Sequence, residues 1–372
     1  METCDALIIG GGPAGSSCAW QLRRRGMDVM VMDKAEFPRD KVCAGWITPA
    51  VLRTLEIDPQ AYARQCTLQA ISAFRTGLID GHPLATRYAD TVSYGIRRCE
   101  FDDYLLRRTD ARLALGQAVT SVRREDKFWV INDAISAPLL IGAGGHFCPV
   151  ARHLGAKLGA GESAVTAKEV EFEMDAAQIA ACQVKPEMPE LYFCKDLSGY
   201  GWCVRKGRFL NIGLGMEQAH RLPEALDRFC DFLRQRGRIP PDIAERFHGH
   251  AYLLYGRSDR QLLDDGVLLV GDAAGLACPR SGEGIRPAIE SGLMAATTVL
   301  QAAGVYRRER LAAYSQRLQA RYGSPAAGAD IVVAKDLRQR LARLLLRSRW
   351  FTRHVVLDRW FLHARKADLR LA

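Results

Sequence analysis

Two short apolar runs, Ala6 to Ile9 and Val29 to Met32, flank a stretch where Ala14, Cys18, Ala19 and Leu22 recur at helical spacing. That pattern predicts strand, helix, strand. A third apolar run, Val267 to Val270, precedes a glycine-rich turn and a long helical pattern opening at "SGEGIRPAIESGLMAA". Between these ends lie the alternating segments "AVTAKEVEFEM", "ELYFCK", "YGWCVRK" and "RFLNIGLGM". They predict strands, the last two joined as a hairpin at Gly207-Arg208. Leu222 to Gly237 predicts an amphipathic helix with Leu226, Phe229, Phe232 and Leu233 on one face. From Glu309 onward the pattern is helical, and no internal repeat or low-complexity segment interrupts it.

At 372 residues the chain is long enough for one large or two ordinary domains. No apolar run approaches the roughly 20 residues that span a bilayer. The opening "METCDALIIGGG" is acidic and turns straight into a strand, unlike a signal peptide. Eleven cysteines without a CxxC pair point to free thiols in a reducing compartment, and to neither a disulfide framework nor a metal site. The expectation is a cytoplasmic protein, with peripheral membrane contact as an option. The net charge of +10 is concentrated at the end: residues 331–372 carry eleven Lys or Arg against three Asp. No basic patch interleaved with aromatics on a nucleic-acid-binding module is visible, so nucleic acid is not expected as a partner.

The first strand runs into Gly10, Gly12 and Gly15, a G-x-G-x-x-G spacing, and Asp33 ends the second strand. Each part has a task in a dinucleotide fold. Gly10 makes the tight turn, Gly12 admits a pyrophosphate to the backbone, and Gly15 allows helix and strand to pack closely. The helix N-terminus, at Pro13 and Ala14, offers unpaired N–H groups to phosphate. Asp33 accepts hydrogen bonds from a ribose. The motif alone does not separate FAD from a nicotinamide cofactor.

Asp272 separates them. Flavoproteins of the glutathione-reductase type end a late strand in Gly-Asp, and that Asp binds the ribityl chain; here the pair is Gly271-Asp272. The helix that follows starts between Gly282, Gly284 and Ile285, where its amides can stabilise negative charge on a flavin ring. Two distant segments thus hold the two ends of one extended cofactor.

Four ordered segments resemble the geranylgeranyl reductase family, within the aromatic-hydroxylase-like flavoproteins. "FPRDKVCAGWITPAVLRTL" is similar to its P-R-x-K-x-C-G-G element, and "RCEFDDYL" to its R-x-x-F-D-x-x-L. "GYGWCVRKGRFLNIGLG" resembles its Y-x-W-x-F-P-K strand pair, and "GDAAGLACPRSGEGI" its G-D-A-A-G-x-x-x-P-x-x-G-E-G-I. The chain departs from the family at Ala44, at Arg205, at Cys148, and at Gly144-Gly145, where Asp-Gly is usual. The last change bears on NADPH as reductant and leaves room for another donor.

The resemblance implies an α/β fold: a Rossmann-like FAD-binding domain of glutathione-reductase type, an inserted β-sheet substrate domain, and a helical C-terminus. The implied FAD domain comprises residues 1–75, 95–159 and 256–303, the substrate domain 76–94 and 160–255, and the basic C-terminal region 304–372. Besides the motif glycines, cofactor contacts are implied for Lys34, Arg39, Cys43, Ala44, Gly45, Arg98, Ala143, Gly144 and Pro279. Cys43 and Trp202 are the candidates closest to the chemistry. Trp46, Tyr192, Tyr200 and Trp202 are candidate walls for an apolar substrate. Lys41 can also meet phosphate, whereas His146 and His153 read as structural or surface groups.

The functional reading is an FAD-dependent oxidoreductase that reduces carbon–carbon double bonds of an isoprenoid-type lipid. A flavin monooxygenase acting on a small aromatic or apolar substrate is the alternative, because fold alone does not decide chemistry. A flavin-dependent halogenase and a non-enzymatic flavin-binding module are lesser ones. The C-terminal stripe Leu337, Leu341, Leu344 and Leu345, ringed by Arg338, Arg340, Arg343, Arg347 and Arg349 and followed by Trp350 and Phe351, reads either as a membrane-docking face or as a stripe that packs on the FAD domain with its arginines solvated.

Overall fold

The computed structural model describes residues 1–157, 162–243, 246–324 and 335–370, of which 335–339 by their backbone alone. The expected boundary at 159/160 and the side chains of Leu337 and Arg338 therefore lie outside the described residues.

The predicted strands Ala6–Ile9 and Val29–Met32 pair in parallel, Leu7 opposite Met30. They lie in a six-stranded sheet whose order runs Leu263–Asp264, Val267–Leu269, Leu139–Gly142, Ala6–Ile9, Val29–Met32, Arg112–Ala114. Five of these strands are parallel, and the four inner ones are fully buried, which is why they read as continuous apolar runs with no alternation. The strand at 267–269 sits two places from the strand at 6–9, so the two glycine motifs emerge at the same sheet edge.

Helix Pro13–Arg23 and helix Ile285–Ala302 pack on each other beside this sheet. Small residues make the approach possible: a Cβ at Gly292 would lie 2.2 Å from the Ala14 carbonyl oxygen, and one at Gly15 only 1.9 Å from that of Gly10.

A second, seven-stranded sheet runs His248–Tyr252, Val165–Glu173, Phe209–Met216, Gly199–Lys206, Glu190–Phe193, Ala73–Leu78, Leu84–Arg87. All four expected strands are present, and Gly207 turns the expected hairpin with φ of +59°. Helix Leu222–Gln235 covers one face and buries Leu226, Phe229, Phe232 and Leu233 against it. Gly201 has no alternative residue there, because a Cβ would meet the Phe229 ring at 2.6 Å. The other face looks toward the glycine motifs.

The C-terminus is helical, with helices Arg308–Leu311, Ala313–Tyr322, Lys335–Leu345 and Arg349–Phe351. A π-helix, Thr352–Phe361, follows. Leu346, Val356, Leu357, Phe361 and Leu362 pack on the free face of the second sheet with Phe74, Leu191 and Trp202. Among the described residues no helix is long and apolar enough to cross a membrane.

Candidate active site

Where the two sheets face each other lies a cavity of about 580 Å³. One end is a polar groove over the six-stranded sheet. At Gly10, φ of +114° and a phantom Cβ 2.4 Å from the Ala143 carbonyl oxygen leave room only for hydrogen. Gly12 opens onto the groove and caps helix Pro13–Arg23, whose start carries no side-chain cap and no acidic residue. Its N–H groups are left for an anion. Asp33 Oδ2 accepts from Gly11 N at 2.8 Å and Oδ1 from Ala35 N at 2.9 Å, which fixes the carboxylate at the groove's edge.

Cations gather on the opposite wall. Arg98 makes a two-pronged pair with the fully buried Asp102, each contact 2.8 Å, and Arg39 Nη2 meets the same carboxylate at 3.2 Å. Arg39 Nη1 is buried without a partner, a donor waiting for an acceptor in the groove. Burial pushes the Lys41 ammonium down to about 8, against the pull of Asp272.

Asp272 stands in the middle. Burial alone would raise its pKa, but a hydrogen bond from His250 and the charges of Lys41 and Arg98 hold it down to about 2. His250 Nε2 lies 3.4 Å from Oδ2, and burial lowers the imidazole's own pKa. Arg260, buried, donates to the carbonyls of Asp272, Ala273 and His146 and pairs with Glu162 at 2.6 Å, bracing this turn. Gly284 begins helix Ile285–Ala302 without a side-chain cap, and a Cβ there would lie 3.4 Å from Asp272 Oδ1.

The other end of the cavity is apolar: Trp46, Ala167, Leu191, Tyr200, Trp202 and Phe361 line it. Trp202 Nε1 donates to Asn211 Oδ1 at 2.7 Å, and Asn211 Nδ2 donates to the Cys43 carbonyl at 3.1 Å and to Glu169 at 2.6 Å. Glu169, pushed by burial up to about 7, thus lies behind the Cys43 loop. Tyr200 Oη donates to the Ser281 carbonyl at 2.5 Å, joining the apolar wall to the loop before Gly282.

Of the residues singled out in the sequence, Gly10, Gly12, Pro13, Ala14, Asp33, Lys34, Arg39, Cys43, Ala44, Arg98, Ala143, Gly144, Asp272, Gly282, Gly284 and Ile285 line this one cavity, as do Trp46, Tyr200 and Trp202. Gly15, Gly45 and Gly271 lie behind the lining. Gly45 (φ +63°) yields to Lys206, whose Nζ a Cβ would meet at 2.3 Å, and Gly271 packs against Ala14.

Two expectations are corrected. Tyr192 faces away from the cavity: strand alternation puts Leu191 on the cavity side, while Tyr192 packs on Phe229 and Phe232 and donates to Glu190. Pro279 is exposed and does not line the cavity. His146, read as a structural or surface group, is buried and lines the groove, its pKa lowered first by burial and then by Arg260.

His250, Tyr252, Glu283 and Phe361 also line the cavity and were not singled out. Strand periodicity in "HGHAY" was the available signal for the first two.

Residues 107–323, more than half of the chain, match the model of the FAD binding domain family. The chain belongs to that family. Residues 5–93 match the model described as FAD dependent oxidoreductase. FAD is the cofactor, and the chain is an FAD-dependent oxidoreductase with the Rossmann-like fold expected from its glycine motifs.

A digeranylgeranylglycerophospholipid reductase of Methanothrix thermoacetophila is 29% identical over 365 residues, covering 92% of this chain and 88% of that protein. The crystal structure of a geranylgeranyl bacteriochlorophyll reductase-like protein from Thermoplasma acidophilum superposes with a TM-score of 0.74 at 23% identity, covering 93% of this chain and 88% of the other. The fold is shared more widely. A probable FAD-dependent monooxygenase from Pseudomonas aeruginosa gives a TM-score of 0.63 at 19% identity, over 85% of this chain and 92% of that one.

The groove fits FAD on its own evidence: an uncapped helix start beside Gly12, the unpartnered Arg39 donor, and Asp272 beneath the second helix start. The resemblance to geranylgeranyl reductases read from the four motifs holds.

Proposed function

We propose that this FAD-dependent oxidoreductase reduces carbon–carbon double bonds of an isoprenoid chain. The observation that carries the reading is the apolar, aromatic end of the cavity, continuous with the dinucleotide groove. A polyprenyl chain offers no hydrogen bonds and gains its binding energy by burying methyl and methylene groups, about 0.8 kcal/mol for each CH₂. Trp46, Leu191, Trp202 and Phe361 supply that surface. The names of the relatives support the same class of substrate.

FAD supplies the hydride equivalent when bound; the protein does the rest. The uncapped amides near Gly12 and Gly284 and the cations Arg39, Lys41 and Arg98 bind and orient the cofactor. Trp202 and Tyr200 exclude water from the reacting bond. Cys43, at the junction of the groove and the apolar end, is the candidate proton carrier; its loop is pinned by Asn211.

We also read the chain as two units. The dinucleotide unit comprises residues 1–75, 95–159 and 256–303, and the substrate unit 76–94 and 160–255, except that strand Ala73–Leu78 belongs whole to the seven-stranded sheet and moves the first boundary to residue 72. Residues 304–372 add a basic C-terminal region, which we read as the face that approaches a lipid surface. The exposed Leu341, Leu344 and Trp350 amid arginines support that reading. We read the protein as cytoplasmic, in peripheral contact with membrane.

An anaerobic incubation of the purified holoenzyme with dithionite and a prenyl lipid tests the function, scored by mass for saturated product. We expect a gain of two hydrogens per reduced bond. A product that forms only when oxygen is admitted would instead establish the monooxygenase reading. Replacing dithionite by NADPH tests the reductant: with Gly144 where an acidic residue is usual, flavin bleaching by NADPH is expected to be slow.

A further inference from the structure

Phe361 reaches the cavity from the far end of the chain. It closes the π-helix Thr352–Phe361, is 6% exposed, and lines the apolar end. Its ring stacks on Trp46 at 5.6 Å and 16°, and stands edge-on to Tyr200 at 5.3 Å and to Phe193 at 6.5 Å. Trp46 in turn stacks on Phe74 at 5.0 Å. One ring of the apolar wall is therefore borne by the C-terminal segment.

That ring is held firmly. Val356 and Leu357 are fully buried in the same cluster, so the helix cannot slide without exposing them. Tyr88 Oη donates to Asp358 at 2.7 Å, and His363 Nε2 meets Glu283 at 2.8 Å, one contact on each side of Phe361. Phe193, behind the ring, is only partly buried. Phe193 contacts the ring but does not line the cavity, so an apolar side chain backs Phe361.

We propose that Phe361 sets the length of apolar chain that the cavity accepts. The proposal rests on the reading of the cavity as a prenyl-chain site. A stop made of one side chain makes a sharp prediction, because replacing it by a smaller one leaves space that a longer ligand fills. Phe361→Ala frees a ring's volume, about one isoprene unit. Phe361→Trp removes space and should shorten the preferred chain.

Two homologous series are titrated into the holoenzyme, with binding followed by the perturbation of flavin absorbance: straight-chain primary alcohols and all-trans prenyl alcohols of increasing length. We expect the tightest-binding member to move to longer chains in Phe361→Ala, by a step in Phe361→Leu, and to shorter chains in Phe361→Trp. The affinity ratio between adjacent members should change by about tenfold. Flavin content and melting temperature report on folding, and the Leu variant keeps the test open where the Ala variant is unstable. An unchanged length ranking in folded, flavin-replete variants would overturn the proposal. A length shift in the straight-chain series, with prenyl alcohols failing to bind wild type, would uphold the stop and overturn the isoprenoid reading. Binding of neither series overturns both.

Discussion

The imidazole of His363, four residues beyond Arg359, meets the carboxylate of Glu283 at 2.8 Å, fastening the end of the chain to the loop that opens the flavin-side helix. Cys278 of the same loop also hydrogen-bonds the imidazole. Burial would lower the His363 pKa, yet Cys278 and Glu283 raise it to about 9. The thiol moves the opposite way: burial raises it, but His363, Ser281 and the Arg280 backbone bring it down to about 7. Between these values the folded pair is a thiolate and an imidazolium, whereas the unfolded chain carries a thiol and a neutral ring.

The first prediction follows from the signs. His363, raised, contributes stability that is complete below its unfolded pKa of about 6.5 and is lost as pH rises through about 9. Cys278, depressed, contributes stability complete above its unfolded value and lost as pH falls through about 7. The two slopes oppose each other, so the intact pair leaves stability nearly flat from pH 6 to 9. In Cys278→Ser only the His363 slope survives, with Glu283 alone sustaining it. Relative to wild type, the variant should lose about 1 kcal/mol between pH 6 and pH 9. Melting temperatures of both proteins at the two pH values check this. A constant difference across the range would show that the pair does not exchange its proton on folding.

Asp272 carries the second prediction. Its carboxylate accepts from His250 and sits 3.4 Å from the space above Gly284, in the cavity between the two glycine motifs. Asp272→Ala removes charge-assisted hydrogen bonds of about 1–3 kcal/mol each, so FAD affinity should fall by about tenfold or more. Asp272→Asn keeps the shape and should fall between. Flavin retained after gel filtration is the measurement. Because the folded pKa is held down to about 2, the carboxylate's contribution persists above the unfolded value near 4 and disappears only as pH falls through 2. The difference in retention between wild type and Asp272→Asn should therefore be flat from pH 5 to 7, below the range in which Lys41 discharges.

How much of this was legible in the sequence depends on how local the constraint is. Gly10, Gly12 and Asp272 were readable because backbone approach and charge restrict the residue type at fixed spacing. Tyr192 and Tyr200 look alike in sequence and differ only in strand register: one step of alternation sends Tyr192 to helix Leu222–Gln235 and its neighbour Leu191 to the cavity. Phe361 was invisible as a wall because its partner Trp46 lies at the other end of the chain. Nothing within a helical window reports such a contact. The same holds for His250, whose meaning comes only from a strand crossing over Asp272.

The last prediction concerns the segment just before that wall. The apolar residues of 341–362 divide into two sets. Leu346, Val356, Leu357 and Phe361 turn inward, whereas Leu341, Leu344 and Trp350 are exposed at 57%, 62% and 67%. Arg340, Arg347 and Arg349 are exposed among them, and Arg343 donates to the Lys195 carbonyl at 2.7 Å. Exposed leucines and an indole, ringed by arginines, match an anionic interface, where each basic residue contributes about 1 kcal/mol and the arginine stems lie along apolar surface. The inward set shows that packing on the protein accounts for part of the stripe; the outward set is what packing leaves over. Wild type should therefore sediment with vesicles containing anionic lipid and release as salt is raised. Leu344→Glu combined with Trp350→Glu should abolish sedimentation while leaving flavin content unchanged, since neither side chain lines the cavity. Equal, negligible sedimentation of wild type with anionic and neutral vesicles would leave the outward leucines without a membrane role.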